Sequence, residues 1–260
     1  MSLVKGLSAA VVTVVVASAA QAKIVHKKIE YKEGSTKLEG VLVYDDSQTE
    51  KRPGVLIAPN WMGLTDETDR KADMIAEMGY VAFEADPYGK DVHPKDQAEA
   101  GKLATAMKTD RKTLRARMNA GLKMLQENKM VNTSKLAAIG YCFGGTSVIE
   151  LARSGAPLLA VVSFHGGLDS PTPADGKNIK AKILALHGGD DPFEKPKDLM
   201  AFEKEMRDSK VDWQLVKFGG AVHSFTEKAA GNDNSKGAAY NEKADRRAVN
   251  AMKNMFAETF

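Results

Sequence analysis

The segment that most constrains this chain lies around residue 142, where a short apolar run leads directly into a cysteine flanked by glycines. The run is Lys135–Ile139, and it continues as Gly140-Tyr141-Cys142-Phe143-Gly144-Gly145. Glycines on both sides of a reactive side chain are typical of a tight, strained turn between a strand and a helix. The sequence therefore predicts a strand–turn–helix unit that presents Cys142 at the edge of a sheet.

Buried strands alternate with amphipathic helices along most of the chain. Short continuous apolar runs indicate strands that are buried on both faces. These runs lie at Gly54–Ala58, Tyr80–Ala85, Lys135–Ile139, Leu158–Phe164, Lys182–Leu186 and Asp212–Phe218. Apolar residues at helical spacing predict helices, near residues 65–79, 95–107, 110–129, 144–153, 196–209 and 240–256. This alternation is typical of an α/β fold with a mostly parallel, doubly wound sheet.

The N-terminal part of the chain adds two strands of another kind. Residues Ile24–Tyr31 and Lys37–Tyr44 alternate polar and apolar side chains, and Glu33-Gly34-Ser35 lies between them. This pattern predicts an antiparallel hairpin at one edge of the sheet. Because no repeat, low-complexity tract or linker interrupts the later pattern, we expect residues 23–260 to form a single domain.

Residues 1–22 have the composition of a secretory signal peptide. Lys5 supplies a positive start, Leu7–Ala20 is an uncharged apolar run, and Ala20-Gln21-Ala22 fits a small-x-small cleavage site. Cleavage there makes Lys23 the first residue of the mature chain. We therefore expect an exported protein, periplasmic in a Gram-negative source. An uncleaved membrane anchor is the alternative, although the run is shorter than the ~20 residues that span a bilayer.

Charge and cysteine content narrow the classes of function. The net charge of +3 is small and scattered over 260 residues, so it indicates neither a nucleic-acid partner nor a membrane surface. A small molecule is therefore the expected partner, with a monomer favoured and the oligomeric state left open. Cys142 is the single cysteine, which excludes an intrachain disulfide. It is either a buried apolar side chain or a reactive thiol, and its place between glycines favours the thiol.

An acid and a base follow Cys142 in the chain order of a nucleophile–acid–base triad. Asp191 comes after the predicted strand Lys182–Leu186, and His223 comes after the last predicted strand. Parallel strands end at one edge of the sheet, so both residues share the edge of Cys142. We predict His223 as the base and Asp191 as the acid that orients it. Asp190 is an alternative acid, because sequence does not fix which of two adjacent carboxylates faces the histidine.

Two backbone amides are candidates for an oxyanion hole. The first belongs to Phe143, directly after the cysteine, and the second to Trp61, in the loop after Gly54–Ala58. No grouping of His, Cys, Asp and Glu has the spacing of a metal site, so we expect no metal. His165 ends a predicted strand, where packing, hydrogen bonding and lining of a pocket are the open alternatives. His26 is interpreted as a surface residue.

Three segments together resemble the dienelactone hydrolase family. They are Gly140-Tyr141-Cys142-Phe143-Gly144-Gly145, the stretch Gly188-Gly189-Asp190-Asp191-Pro192, and His223-Ser224-Phe225. The resemblance extends from about Lys37 to the C-terminus. It implies a single-domain α/β-hydrolase fold with a Cys-Asp-His triad that needs no metal or cofactor. The implied activity is hydrolysis of carboxylic esters or lactones through a thioester acyl-enzyme.

Some positions differ from those of family members that open dienelactone. Where those members carry a glutamate close to the thiol, this chain has Asn60. Where they hold the substrate carboxylate with arginines, it has Lys90 and Glu227. We expect Asn60, Tyr88, Lys90 and Phe225 to contact the substrate, and the altered charges separate this chain from members that act on muconate-type lactones.

The leading hypothesis is an exported cysteine hydrolase of carboxylic esters or lactones, in which Cys142 attacks the carbonyl carbon. Because Asn60 cannot take a proton, the alternative is a binding protein that has kept the fold and lost turnover. Thiol redox chemistry is a third class of function. It is weakened because the chain lacks a second cysteine that would resolve an oxidised thiol.

Overall fold

A computed structural model describes residues 23–260, and the predicted signal segment, residues 1–22, lies outside the described residues. The strands are β1 (Ile24–Glu33), β2 (Thr36–Asp45), β3 (Arg52–Ala58), β4 (Val81–Glu84), β5 (Val131–Tyr141), β6 (Ala160–Phe164), β7 (Lys182–Gly188) and β8 (Trp213–Phe218). The helices are α1 (Asp66–Glu77), α2 (Gln97–Thr109), α3 (Arg111–Gln126), α4 (Phe143–Arg153), α5 (Pro196–Asp208) and α6 (Glu242–Thr259).

All the strands belong to one eight-stranded sheet, in the order β1-β2-β4-β3-β5-β6-β7-β8. β1 pairs with β2, and β2 with β4, in antiparallel fashion. The remaining neighbours pair in parallel. The predicted fold, a mostly parallel sheet with an antiparallel N-terminal hairpin at one edge, is confirmed.

Helices cover both faces of the sheet. The apolar sides of α3, α4 and α5 pack on one face, and those of α1 and α6 pack on the other. The strands between them are apolar on both faces, which is the reason for their continuous hydrophobic runs. Within residues 23–260, no helix combines the length and the apolar character needed to cross a membrane.

One strand is longer than its apolar signal predicts. The prediction begins at Lys135, whereas β5 begins at Val131. The first residues of β5 pair with Arg52 and Pro53 of β3 before the register shifts. Residues 132–134 are polar and at most partly buried. They therefore have no apolar pattern that could predict a strand, and this part of β5 is defined by its backbone pairing alone.

The order of the strands reverses at β3, and this reversal positions the site. β4 lies on one side of β3 and β5 on the other. Such a switch point leaves a crevice at the carboxyl ends of the strands. Ala58, at the end of β3, pairs with Gly140 of β5. The loop that contains Trp61 therefore lies beside the turn that contains Cys142.

Candidate active site

The turn that carries the cysteine is strained. Cys142 has φ 54° and ψ −118° directly before α4, a backbone conformation that side chains other than glycine rarely adopt. A Cβ atom on Gly144 would collide with the carbonyl oxygens of Ala58 and Pro59, and one on Gly140 would collide with the backbone of Gly144. The two glycines therefore let α4 begin directly against the loop after β3, with the thiol partly exposed in the crevice.

Three of the predicted site residues form a continuous chain of hydrogen bonds. His223 Nε2 lies 3.0 Å from Cys142 Sγ, and His223 Nδ1 lies 2.8 Å from Asp191 Oδ2. The buried Asp191 carboxylate also accepts the backbone N–H of Phe193 at 2.9 Å. This arrangement allows the imidazole to exchange a proton with the sulfur while the carboxylate holds its other nitrogen.

The electrostatics of the site favour a cationic imidazole beside the sulfur. Burial alone lowers the pKa of His223, but hydrogen bonds to Asp191 and Cys142 outweigh burial and raise this pKa to about 10. Burial is the largest single effect on Asp191 and raises its pKa, but the hydrogen bond and charge of His223, together with the N–H of Phe193, outweigh burial and lower the pKa below the ordinary value. An imidazolium in contact with the sulfur stabilises the thiolate, which is the nucleophilic form of cysteine.

The two adjacent acids after β7 have different partners. Asp190 is exposed, and its carboxylate accepts the backbone N–H of Gly220 at 3.1 Å. The carboxylate of Asp191, in contrast, is the one that reaches His223. The geometry therefore pairs Asp191 with His223. Asp190 instead stabilises the turn at Gly220, which precedes His223 in the chain.

The predicted oxyanion amides lie on neighbouring elements. Phe143 is the first residue of α4, and Trp61 lies in the loop after β3. The backbone N–H groups of these two residues donate to no acceptor within residues 23–260, so both are available to a ligand. The hydroxyl of Tyr88 donates to the Trp61 carbonyl at 2.8 Å. The Tyr88 ring also stacks on Phe143, with centroids 5.7 Å apart. Tyr88, which was expected to contact substrate, is largely buried and holds the two residues that carry these amides.

His165 connects the cysteine turn to the loop that carries His223. It follows β6 with φ 41° and is buried. Its Nδ1 accepts the backbone N–H of Cys142 at 3.1 Å. The proton of the neutral ring is therefore on Nε2, which donates to Thr226 Oγ1 at 2.8 Å. Burial lowers the pKa of His165 well below its ordinary value, and His223 adds to this effect, so the ring stays neutral. Of the alternatives for His165, the structure favours hydrogen bonding.

Two positions at which the chain differs from dienelactone-opening enzymes meet in the structure. Asn60 Nδ2 donates to Glu227 Oε1 at 3.0 Å. Asn60 Oδ1 accepts the backbone N–H of Met62 at 2.9 Å, which shapes the loop of Trp61. Burial raises the pKa of Glu227, although the hydrogen bond from Asn60 opposes this rise. An acidic side chain therefore lies against the loop that carries a predicted oxyanion amide.

Two of the residues that were expected to contact substrate have other partners in the structure. The backbone of Lys90 bonds to β2, so its ammonium reaches the N-terminal hairpin, where it pairs with Glu30 and lies 3.9 Å from Glu39. Phe225 is fully buried, and its ring packs against His165 with centroids 5.0 Å apart. Lys90 is therefore occupied by hairpin carboxylates, and Phe225 belongs to the core beneath the site.

Two residues next to Asp191 and His223 were not among the predicted site residues. Phe193 is 62% exposed, and its ring meets His223 edge-on with centroids 5.5 Å apart. Burial raises the pKa of Glu194 to about 7, and its carboxylate accepts the backbone N–H of Leu168 at 3.3 Å. Both residues lie in a loop without a periodic pattern. Their position directly after Asp191 was the only feature of the sequence that could have indicated a role at the site. An exposed aromatic ring beside the base fits a wall of a ligand site.

Comparison with known proteins identifies the family. A sequence model described as the dienelactone hydrolase family matches residues 38–260. The chain belongs to this family. Membership in the dienelactone hydrolase family confirms the predicted superfamily, that of the α/β-hydrolases, and the predicted class of enzyme, a hydrolase of lactones or esters.

Individual proteins also match over most of the chain. A solved structure named m3DLH is 38% identical, with a TM-score of 0.88, over 91% of this chain and 99% of that one. A dienelactone hydrolase-like promiscuous phosphotriesterase from metagenomic libraries is 39% identical, with a TM-score of 0.87, over the same shares. A probable 2-oxo-3-(5-oxofuran-2-ylidene)propanoate lactonase from Bradyrhizobium sp. is 30% identical over 69% of this chain and 75% of that protein.

Proposed function

We propose that this dienelactone hydrolase family member hydrolyses carboxylic esters or lactones through a thioester on Cys142. The observation that carries the proposal is the chain of hydrogen bonds from Cys142 through His223 to Asp191, at 3.0 and 2.8 Å. A thiol in contact with an imidazole that a carboxylate orients is the arrangement of an activated nucleophile. The strained turn supports the same role, because it exposes the sulfur at the N-terminus of α4, where negative charge is stabilised.

The first half of the proposed reaction forms the thioester. The Cys142 thiolate attacks the carbonyl carbon, and the carbonyl oxygen, which gains the negative charge, accepts hydrogen bonds from the amides of Phe143 and Trp61. The tetrahedral intermediate then collapses and the carbon–oxygen bond of the ester breaks. Protonated His223 donates its proton to the leaving alkoxide. With an ester substrate, the resulting alcohol departs; with a lactone, the alcohol remains part of the acyl group that is bound to Cys142.

The second half of the reaction releases the acid. Neutral His223 takes a proton from water while the water oxygen attacks the thioester carbonyl carbon. The same two amides stabilise the second oxyanion. When this intermediate collapses, the carbon–sulfur bond breaks, Cys142 returns as the thiolate, and His223 remains protonated for the next cycle. Throughout both halves, Asp191 holds the imidazole in one orientation.

An uncharged acyl group is the proposed substrate class. Glu227 contributes an acidic group next to the Trp61 loop through its hydrogen bond with Asn60. Lys90, the expected partner of a substrate carboxylate, is paired with Glu30. A negative charge beside the crevice disfavours an anionic substrate, and the exposed ring of Phe193 offers an apolar surface.

The test is a hydrolysis assay on the mature chain, residues 23–260. The panel contains short and long acyl esters, thioesters, lactones including dienelactone, and a phosphotriester, because one similar structure is named for that activity. We expect turnover of a carboxylic ester or lactone that is lost in Cys142→Ala, together with an acyl adduct on Cys142 in the mass spectrum of the wild type.

Other outcomes of this assay separate the alternatives. Turnover that survives Cys142→Ala contradicts the proposed nucleophile. Ester binding without turnover, unchanged in Cys142→Ala, supports the binding protein instead. Turnover that requires peroxide and a reductant supports thiol redox chemistry.

Export through the N-terminal segment is also part of the proposed function. It is supported by the charge and apolar pattern of residues 1–22. Fusion of these residues to a reporter that is active only outside the cytoplasm should yield activity, and N-terminal sequencing of the exported chain should begin at Lys23. A membrane-bound product that keeps the leader would indicate an uncleaved anchor.

A further inference from the structure

Glu84 is a buried carboxyl group that the proposed reaction does not use. It is the last residue of β4 and is 0% exposed. Neither of its carboxyl oxygens accepts a hydrogen bond from an N–H or O–H group among residues 23–260, and the polar group beside it is the carboxyl group of Asp69. Burying a carboxyl group without such donors is costly. Two adjacent carboxyl groups, one of them buried with no donor aimed at it, point to a cation that their oxygens would hold.

The strand register brings a histidine to the same face of the sheet as Glu84. Val41 of β2 pairs with Glu84, and Val43 pairs with His26 of β1. Positions two residues apart on a strand lie on one face, so His26 and Glu84 share a face. α1 packs over this part of the sheet and supplies Asp69 and Asp73, which are one helical turn apart.

We propose that His26, Asp69 and Glu84 bind a divalent transition-metal ion. One donor atom from each of the three side chains lies within 4.8 Å of the others. Ligands at about 2.1 Å from a metal are themselves roughly 3 to 4 Å apart, so small rotations of His26 and Asp69 complete the site. The three ligands come from β1, α1 and β4 and share no local spacing, which is why no metal site was expected from the sequence.

Asp73 supports the site from outside. Its Oδ1 lies 2.7 Å from His26 Nε2, while His26 Nδ1 faces Asp69 Oδ1 at 3.9 Å. A metal-binding histidine usually donates its other ring N–H to a carboxylate, which fixes the ring and leaves the facing nitrogen free to coordinate. The side chains of His26 and Asp69 are 36% and 43% exposed, so an ion and its remaining water ligands can reach the site.

The charges at the site also suit a cation. Asp69, Asp73 and Glu84 bring three carboxyl groups close to one imidazole. A bound cation would relieve the repulsion among these carboxyl groups. One imidazole and two carboxylates are a ligand set for Mn²⁺ or Zn²⁺. The bound ion would connect the N-terminal hairpin to α1 and β4, and this role does not depend on the proposed hydrolysis.

The test is a titration of the chelator-treated mature protein with Mn²⁺, followed by the electron paramagnetic resonance signal of free Mn²⁺. Mn²⁺ is the probe because it prefers oxygen ligands to the Cys142 thiolate. We expect one Mn²⁺ per chain. Glu84→Gln, which keeps the shape of the side chain, should raise Kd at least tenfold. Asp73→Asn should raise Kd about 10- to 100-fold, because it removes the group that orients His26.

The matched control is Glu77→Gln, which removes one negative charge from an exposed position of α1 and should leave Kd unchanged. Mn²⁺ that stays free at millimolar concentration would overturn the proposal, and so would a Kd that Glu84→Gln leaves unchanged. If Glu84→Gln fails to fold, His26→Gln tests the same site from its exposed side. A Tm that rises with Mn²⁺ in the wild type and not in His26→Gln would support the site independently.

Discussion

His165 is held at both ring nitrogens, by the backbone N–H of Cys142 and by the Thr226 hydroxyl. His165→Phe keeps a buried ring but removes both bonds. The Cys142 N–H then keeps only its 3.0 Å bond to the Phe164 carbonyl oxygen, and the Thr226 hydroxyl loses its bond to the ring. We expect the free energy of unfolding to fall by about 1–3 kcal/mol. We also expect kcat for the best ester to fall about 10- to 100-fold, with little change in KM, because the turn that aims the thiol is displaced.

Steady-state kinetics and urea unfolding measure these two effects separately. Thr226→Val removes the second bond and keeps the first, so its kcat should lie between that of the wild type and that of His165→Phe. Loss of stability with an unchanged kcat would limit His165 to a structural role.

The charge of His223 leads to a pH prediction. Its pKa of about 10 in the fold exceeds the ordinary value of 6.5. The imidazolium therefore stabilises the folded chain fully below pH 6.5, and this contribution is lost as the pH rises to about 10. We expect the NMR signals of this ring to titrate near pH 10 in the wild type. In Asp191→Asn, the signals of the His223 ring should titrate at lower pH, because a hydrogen bond that favours the imidazolium is lost. If the midpoint of this titration is unchanged, Cys142 alone stabilises the imidazolium.

At the scale of elements, α4 is anchored by buried ion pairs behind the cysteine turn. Arg153, near the end of α4, is fully buried, and its guanidinium donates to both carboxylate oxygens of Glu205 on α5, at 2.8 and 2.7 Å. Arg153 also donates to Glu150 at 2.8 Å. Removing one partner of a buried pair leaves an uncompensated charge in the core. These contacts therefore fix the helix whose first residue, Phe143, carries a proposed oxyanion amide.

Glu205→Gln tests this anchor. We expect the free energy of unfolding to fall by about 3 kcal/mol, measured by urea denaturation, while the folded fraction keeps its hydrolytic activity. The matched control is Glu203→Gln, on the same helix, which removes a surface pair with Arg207 and should cost less than about 1 kcal/mol. Equal losses in the two variants would argue against a special role for the buried pair.

The elements were predictable from sequence where their signal is local. Apolar runs and helical spacing depend on neighbouring residues, so the strands and helices follow the predicted order, and only ends such as Val131 differ. The partners across the sheet were not predictable. His165 and Thr226 are 61 residues apart, and Asn60 and Glu227 are 167 residues apart. Such pairs depend on the register of strands and loops, which no local pattern encodes.

At the scale of the whole molecule, the sheet gathers the site from residues that directly follow its strands. Trp61 follows β3, Cys142 follows β5, His165 follows β6, Asp191 follows β7 and His223 follows β8. Parallel pairing places all these ends at one edge. This is the reason that chain order predicted His223 and a carboxylate after β7 near the cysteine. The choice between Asp190 and Asp191, and the lining of the crevice, depend on the paths of loops, which the sequence left open.

We expect the charge of that lining to affect which substrates bind. Glu227 is held beside the Trp61 loop by Asn60, and a unit charge near a crevice wall changes the binding of an anion by roughly 1 kcal/mol, or about fivefold. Glu227→Gln should therefore raise kcat/KM for an anionic ester about fivefold relative to a neutral ester of the same shape. Because burial raises the pKa of Glu227, the contrast should grow as the pH rises and the wild-type carboxyl group ionises.

The measurement is a pair of matched esters, one carrying a carboxylate on its acyl group, assayed with both proteins from pH 6 to pH 9. The neutral ester serves as the internal control, since its kcat/KM should be the same in the wild type and in Glu227→Gln. If the variant treats the two esters as the wild type does at every pH, Glu227 lies outside the electrostatic reach of the substrate. Selection against anions would then have to come from the shape of the crevice, and Phe193, the exposed ring beside His223, would be the residue to vary next.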